Sequence, residues 1–326
     1  MHTWRTVSAV MIWALVASGC GGRITALRAA HQTAPPTPAD LAQLWVDPGS
    51  APRDLFWGIG GEKLAPPPAA SFTLVTRDDS GFSVSYDVAS ADGTEWSAKI
   101  GPEAQTEVVM SRILWGLGYH QPPLYYLPSF TVSTSGGRQA RESEARFRPK
   151  LARLDRAREY WRWAENQFLG AREFRGLLVV MLLMNSTDLK DDNNAIYNVK
   201  GEWDGASRWF LVRDIGAALG ETGKLYPRRN WLEGFERSGF ITKVSGDRVE
   251  FDYHGRHQEL LAMITPEDVR WAAQRLNALT DSQWRDAFRA ANYDPAIAER
   301  FIQRIKARIA DGLALRATPP PAGARS

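Results

Sequence analysis

The 326-residue sequence predicts an α+β protein in which a small antiparallel β lobe carrying one helix precedes a larger, mainly helical lobe. Short β-branched and aromatic runs alternate with turn signals over residues 72–100. Apolar residues recur at helical spacing through most of the second half. That half is interrupted by two strand-like runs, AIYNV and RWFLV, joined by KGEWDGAS as a hairpin. With 44% hydrophobic residues and 13 Trp, the chain can bury one large core or two smaller ones.

The first segment, MHTWRTVSAVMIWALVASGC, places basic Arg5 before an apolar stretch over residues 7–16 and small residues before Cys20. This is the layout of a secretory signal, too short to span a bilayer. Ala17-Ser18-Gly19-Cys20 resembles the lipobox of bacterial lipoproteins. The resemblance implies removal of residues 1–19, acylation of Cys20 and a lipid-anchored place in the cell envelope. Gly21, with no acid beside it, favours the outer membrane. An ordinary signal peptide with an incidental cysteine is the plainer alternative. Cys20 is the only cysteine, which excludes an intramolecular disulfide and a cysteine-rich zinc site. Residues 20–50, with TAPPTP, read as a tether, and residues 316–326 as a loose tail. The formal charge of +3 reflects Arg5, Arg23 and Arg28, which meet no acid before Asp40, so no nucleic-acid-binding face is implied.

The β lobe is expected over residues 51–130. FTLV, GFSVSYDV and EWSAKI form its meander, separated by RDDS and by ASADG with its Asp-Gly turn. PEAQTEVVMSRILWGLGY then reads as a helix, with Pro102 in the first turn, Glu103 and Glu107 early, and Val109, Met110, Ile113, Leu114 and Leu117 apolar. The helical lobe is expected over residues 131–315. YWRWAENQFLGAREFRGLLVVMLLMN reads as two helices broken near Gly170, the second apolar almost all round and therefore buried. TPEDVRWAAQRLNALT opens on a Thr-x-x-Asp cap, and two further helices begin at DSQW and DPAIAER.

The buried helix ends near Asn185 and delivers DLKDDN, residues 188–193, while the second hairpin strand runs into Asp214-Ile215-Gly216. Two acidic clusters therefore meet across a hairpin. DLKDDN is similar to the D-L-K-x-x-N part of the kinase catalytic loop, Asp214-Ile215-Gly216 to the D-F-G metal motif, and Lys99 in WSAKIG to the lysine of the third strand. Over residues 72–315 the order of these motifs resembles the protein-kinase-like superfamily. Asn185 adds a likeness to the N-x-x-D-x-x-x-x-N loop of HipA-like kinases, and the D-x-x-x-x-N frame recurs in phosphoinositide kinases.

The resemblance implies a two-lobed kinase-like fold that uses ATP and magnesium. Asp188 would orient or deprotonate an acceptor hydroxyl, and Lys190 would steady the transferring phosphoryl group. Asn193 and Asp214 would hold magnesium. Lys99 would contact the α and β phosphates, restrained by a helix glutamate, Glu107 by preference and Glu103 second. Phosphoryl transfer is largely positioning and charge neutralisation, so these residue types suit it. Ser80 and Gly81, with Ser83, stand where a glycine-rich phosphate loop would lie, but no G-x-G-x-x-G is present. Ser186 replaces the histidine of H-R-D, and the glutamate follows Lys99 unusually closely. These departures mark an atypical or degenerate member.

Without the resemblance, residues 188–194 also suit a solvated turn after a buried helix. A calcium loop fits poorly, because its sixth position would be Asn193 and its twelfth Val199. His254 and His257 have no acidic or cysteine partner at metal spacing and read as surface polar groups; Arg228 and Arg229 read as a solvated loop or an anionic-substrate contact. Two classes of function remain. One is a phosphotransferase acting on a protein, lipid or small-molecule acceptor. The other is a catalytically silent kinase-like lipoprotein that serves as a binding module.

Overall fold

The computed structural model describes residues 25–26, 35–67, 71–78, 83–186, 188–222 and 228–316. Cys20 with the signal segment, and the Ser80-Gly81 turn, lie outside the described residues.

Strands β1 (Ser71–Asp78), β2 (Ser85–Ala89) and β3 (Glu95–Ile100) form the expected antiparallel meander. After helix α1 (Glu103–Gly116), strands β4 (Tyr125–Ser133) and β5 (Gln139–Pro149) close the sheet into a barrel of order β1-β2-β3-β5-β4. The closing pair is β1 with β4, which run parallel. The barrel therefore reaches Pro149, past the boundary drawn from the sequence at residue 130. Strand β5 hides its pattern because its sequence, QARESEARFRP, is highly charged and burial is confined to its final residues, from Ala145 on. Phe72, Val88, Trp96, Ala98, Phe130 and Phe147 fill the interior.

Side chains alternate across a strand, so inward Trp96 and Ala98 turn Ser97 and Lys99 outward, and inward Phe147 does the same for Arg146 and Arg148. The register sets Lys99 beside Arg146 and Ser97 beside Arg148. Helix α1 packs against this basic face and shares the main core with the helical lobe, which explains why it is buried almost all round.

Past the barrel, β6 (Leu154–Arg156) joins the hairpin β7 (Asn194–Trp203) and β8 (Ala206–Val212) in the order β8-β7-β6. Helix α2 (Arg172–Leu183) is the expected buried helix. The helix expected before Gly170 is absent. Asn166 bonds the backbone of Arg162, Trp163 and Phe168, and Asp191 accepts from the Trp163 amide, so side chains satisfy groups that a helix would have used. Trp161 and Trp163 are fully buried in this irregular segment.

The lobe continues through α3 (Leu232–Arg237), a hairpin of β9 (Ile241–Ser245) and β10 (Arg248–Phe251), then α4 (Pro266–Asn277), α5 (Asp281–Arg289) and α6 (Pro295–Ala314). Thr265 and Thr280 form capping boxes, and Asp294 accepts from two first-turn amides of α6. Part of the expected tether is also structured. A capping box at Thr37 and Asp40 starts a short helical turn that delivers Leu44 into the main core and Trp45 edge-on to Trp271, 5.7 Å between ring centres. Among the described residues, no helix is long and apolar enough to cross a membrane.

The helical lobe encloses a charge. Arg308 of α6 is fully buried; its Nη1 donates to Leu183 O (2.6 Å) and Asn185 Oδ1 (2.8 Å), and its Nη2 to Phe235 O (3.0 Å) and Ser238 O (2.8 Å). Arg308→Met keeps most of the volume but strands these acceptors, so it should lower unfolding free energy by roughly 3 kcal/mol or more. Urea denaturation checks this. A loss below about 1 kcal/mol would show that the guanidinium is dispensable.

Candidate functional site

Lys99 leaves the outer face of β3 and places Nζ 3.2 Å from Glu103 Oε2 and 3.3 Å from Asp214 Oδ1. The sequence preferred Glu107 as its helix partner, but the contact belongs to Glu103. Glu107 is buried against Arg146 Nε (3.0 Å) and Arg148 Nη2 (3.2 Å), the outward pair of β5. Burial works against the Lys99 ammonium, yet Glu107, Asp214 and Glu103 together raise its pKa. Of these carboxylates Glu107 contributes most without being the direct partner, because its field crosses a dry interior where screening is weak. Glu103 also pairs with Arg229, from the stretch that follows Gly216.

Asp214 arrives from outside the barrel, just past the end of β8. Register pairing of Val212 with Asn194 sends Arg213 and Asp214 out of the same hairpin end that Asn193 enters. Asp214 sits in the left-handed region at φ +50°. Burial raises its pKa, but Lys99 first and then Arg213, Arg146 and Arg148 hold it down to about 2. Gly216 permits the close packing behind this pair, since a Cβ there would lie 2.7 Å from both Cβ and the carbonyl oxygen of Glu103.

The loop between α2 and β7 is braced from several sides. Asn185, at φ +52°, donates to Gly220 O at 2.8 Å as well as accepting from Arg308. Lys190 Nζ lies 3.1 Å from the Asp188 carboxylate, and the Asn193 amide donates to Asp188 O at 3.3 Å. His257, read from the sequence as a surface group, instead touches the loop backbone at Leu189 O, 2.9 Å from Nε2. Lys99, Glu103 and Asp214 thus meet directly, while Asp188, Lys190 and Asn193 share one braced loop.

A cavity of about 590 Å³ adjoins the Lys99 face, lined by Ser97, Arg148, Lys150, Arg156, Tyr197 and Arg213 among others. The arginines were not singled out in the sequence. The R-F-R alternation around Phe147 and the position of Arg213 beside Asp214 were the available signals.

Among the described residues, no group of three or more His, Cys, Asp or Glu side chains is arranged to hold a metal ion. Asp214 and Asn193 nevertheless offer hard oxygen donors. Magnesium is commonly held by one or two protein carboxylates completed by substrate phosphates and water, so this sparse donor set fits it.

No protein-family model matches the chain, and no curated protein sequence matches it. Among solved structures, the chain is similar to the Helicobacter pylori proinflammatory kinase CtkA, with 10% identity and a TM-score of 0.44, over 76% of this chain and 97% of that one. It is also similar to the golgi casein kinase, with 9% identity and a TM-score of 0.37, over 77% of this chain and 74% of that one. Likeness so distant speaks to neither substrate nor activity; the side chains must do so.

The depressed pKa of Asp214 has a signed consequence. Its ionised form is stabilised by folding, so its contribution is full above the ordinary value of 3.8 and is lost as pH falls through about 2. Asp214→Asn should therefore be less stable than the parent near neutral pH, with the gap closing across that acid window. Urea midpoints measured along a pH series check this; a gap that stays constant into acid would remove the Lys99–Asp214 pairing as its cause.

Proposed function

We propose that the chain is an atypical, kinase-like phosphotransferase that uses ATP and magnesium and acts on an as yet unidentified protein, lipid or small-molecule hydroxyl. The observation that carries this reading is the contact of Lys99 with both Glu103 and Asp214. It joins a barrel strand, the adjoining helix and the end of the hairpin that begins at the Asp188 loop. The Val212–Asn194 pairing brings the start of that hairpin, where the Asp188 loop ends, to the same end as Asp214.

In this reading Lys99 binds the non-transferred phosphates and Glu103 restrains its amine. Asp214 stays ionised through the physiological range and, with the Asn193 side-chain oxygen, holds the magnesium. When bound, that ion supplies charge neutralisation for the transferring group. Asp188 orients the acceptor hydroxyl and receives its proton, while Lys190, already paired with Asp188, is placed to offset charge on the phosphoryl oxygens. The silent binding module remains the second reading. It is favoured by the engagement of Asp214 with Lys99 itself and by the scarcity of ATP outside the cytoplasm.

The envelope location belongs to the same proposal. Acylation at Cys20 would tether the lobes through the Pro-rich segment, since more than one acyl chain makes a stable anchor. Cys20→Ser should release the protein from the membrane fraction or leave it unprocessed. Unchanged partitioning would defeat the lipid anchor.

Labelled ATP with magnesium or manganese, offered with envelope proteins, lipids and sugars, tests the chemistry. Asp188→Ala and Asp214→Ala should each reduce transfer at least about 100-fold. Only Asp214→Ala should also weaken magnesium-dependent nucleotide binding. If the parent neither transfers nor is stabilised by nucleotide, the binding module is the correct reading.

A further inference from the structure

The cavity beside Lys99 is lined by four cations, Arg148, Lys150, Arg156 and Arg213, and by one acid, Asp87. Ser97 and Lys99 share a strand face, Arg148 stands beside Ser97 in register, and Arg156 pairs with Tyr197 across β6 and β7. Arg213 adjoins Asp214. Ser97, Arg148, Arg156, Tyr197 and Arg213 all line the cavity.

The acids nearby do not balance these groups. Lys150 is matched by Asp87 at 2.9 Å and Glu95 at 3.1 Å. Glu107 is shared between Arg146 and Arg148, and Asp214 is taken by Lys99. Among the described residues, the guanidinium groups of Arg156 and Arg213 make no side-chain hydrogen bond or ion pair, although the Arg156 backbone belongs to the β6–β7 ladder. The Nε atoms of Arg148 and Arg213 are buried without an acceptor. Removing a guanidinium N–H from water without an acceptor is costly, so the wall is configured for an anion. The Tyr197 phenol registers the same field: burial raises its pKa, yet Arg213, Arg148 and Arg156 outweigh burial and lower it.

We propose that this cavity is an anion site that takes the phosphate-bearing part of a small molecule, with the guanidinium groups of Arg148, Arg156 and Arg213 as its donors. An uncharged heterocycle offers these groups only neutral acceptors and a ring face, whereas phosphate oxygens carry charge and accept paired guanidinium N–H bonds, which are roughly twice as strong. The volume, about 590 Å³, admits a molecule much larger than a single inorganic ion. The choice of phosphate over another anion rests on the phosphotransferase reading; the cationic wall does not. The ligand is therefore either a nucleotide recognised through its phosphates or a non-nucleotide phosphate compound.

Isothermal titration of the full chain with tripolyphosphate, ATP and adenosine, without metal, separates these cases. Tripolyphosphate should bind and adenosine should not. Arg156→Gln and Arg213→Gln should each weaken tripolyphosphate binding about tenfold or more, whereas Asp188→Asn should not. Arg156 lies exposed on the rim, so its variant tests the site without disturbing the core, and an unchanged melting temperature checks this. ATP binding tighter than tripolyphosphate supports a nucleotide source; equal or weaker ATP binding supports phosphate recognition without the nucleoside. Adenosine binding with no response to tripolyphosphate overturns the proposal, as does tripolyphosphate binding that both arginine variants retain in full. Arginine-dependent tripolyphosphate binding without phosphoryl transfer to any acceptor would sink the phosphotransferase reading and leave the anion site standing.

Discussion

A charge removed from water must be answered by the groups around it, and in the helical lobe that constraint falls on Arg308. Its guanidinium is enclosed by acceptors from the end of α2, from Asn185 and from the end of α3. Burial and neighbouring Arg304 bring its pKa down to about 9, so it still carries its proton near neutrality. Asn185 is held in a left-handed conformation between this guanidinium and Gly220 O, while the Leu219 amide donates to Met184 O. The loop bearing Asp188 and the stretch after Asp214-Ile215-Gly216 therefore leave the core from one common anchor. Losing the guanidinium would disturb both arms of the site at their origin.

The site itself obeys a related constraint with the opposite surplus. Arg146 and Arg148 point outward because Phe147 points inward, which leaves two guanidinium groups facing the lobe interface. Glu107 pairs with one nitrogen of each and is thereby kept ionised despite complete burial, Arg146 and then Arg148 offsetting the desolvation. That commitment leaves the Lys99 contact to Glu103, one turn earlier on α1. The exchange of roles between the glutamates follows from barrel closure by β5.

Much of this was legible in the chain. Alternation located the first three strands, Thr-x-x-Asp and the Asp294 cap located α4 and α6, periodicity located α5 although its cap is Thr280 and not Asp281, and the hairpin emerged from two strand-like runs around an Asp-Gly turn. The resemblance to kinase motifs also singled out Lys99 and Asp214, which meet across 115 residues of sequence. What it did not show depends on partners far away in the chain. Strand β5 looks polar because its first half is charged and largely exposed and its buried end carries Arg146 beside Phe147. The stretch around Trp161 has helical spacing, but Asn166 and Asp191 capture its backbone. Glu103 and Glu107 are equivalent on a helix considered alone; only the positions of Arg146 and Arg148 distinguish them.

Coupling between the lobes passes through the first turn of α1. Glu103 there holds Lys99 with one oxygen and Arg229 with the other, and its backbone lies against Gly216. Gln105 accepts from Asn230 at 3.2 Å and donates to Ala291 O at 3.1 Å, while Tyr293 bonds both Asn230 and Thr106. Helix α1 is thus fastened to the stretch after the Asp-Ile-Gly motif and to the turn that precedes α6. A rigid displacement of α1 would stretch the Lys99 contact and these fastenings together, because they sit on adjacent residues of one helical turn. The position of the Lys99 amine is therefore set by the helical lobe as much as by the barrel strand that carries it. The charged site and the fastening of α1 share one set of contacts.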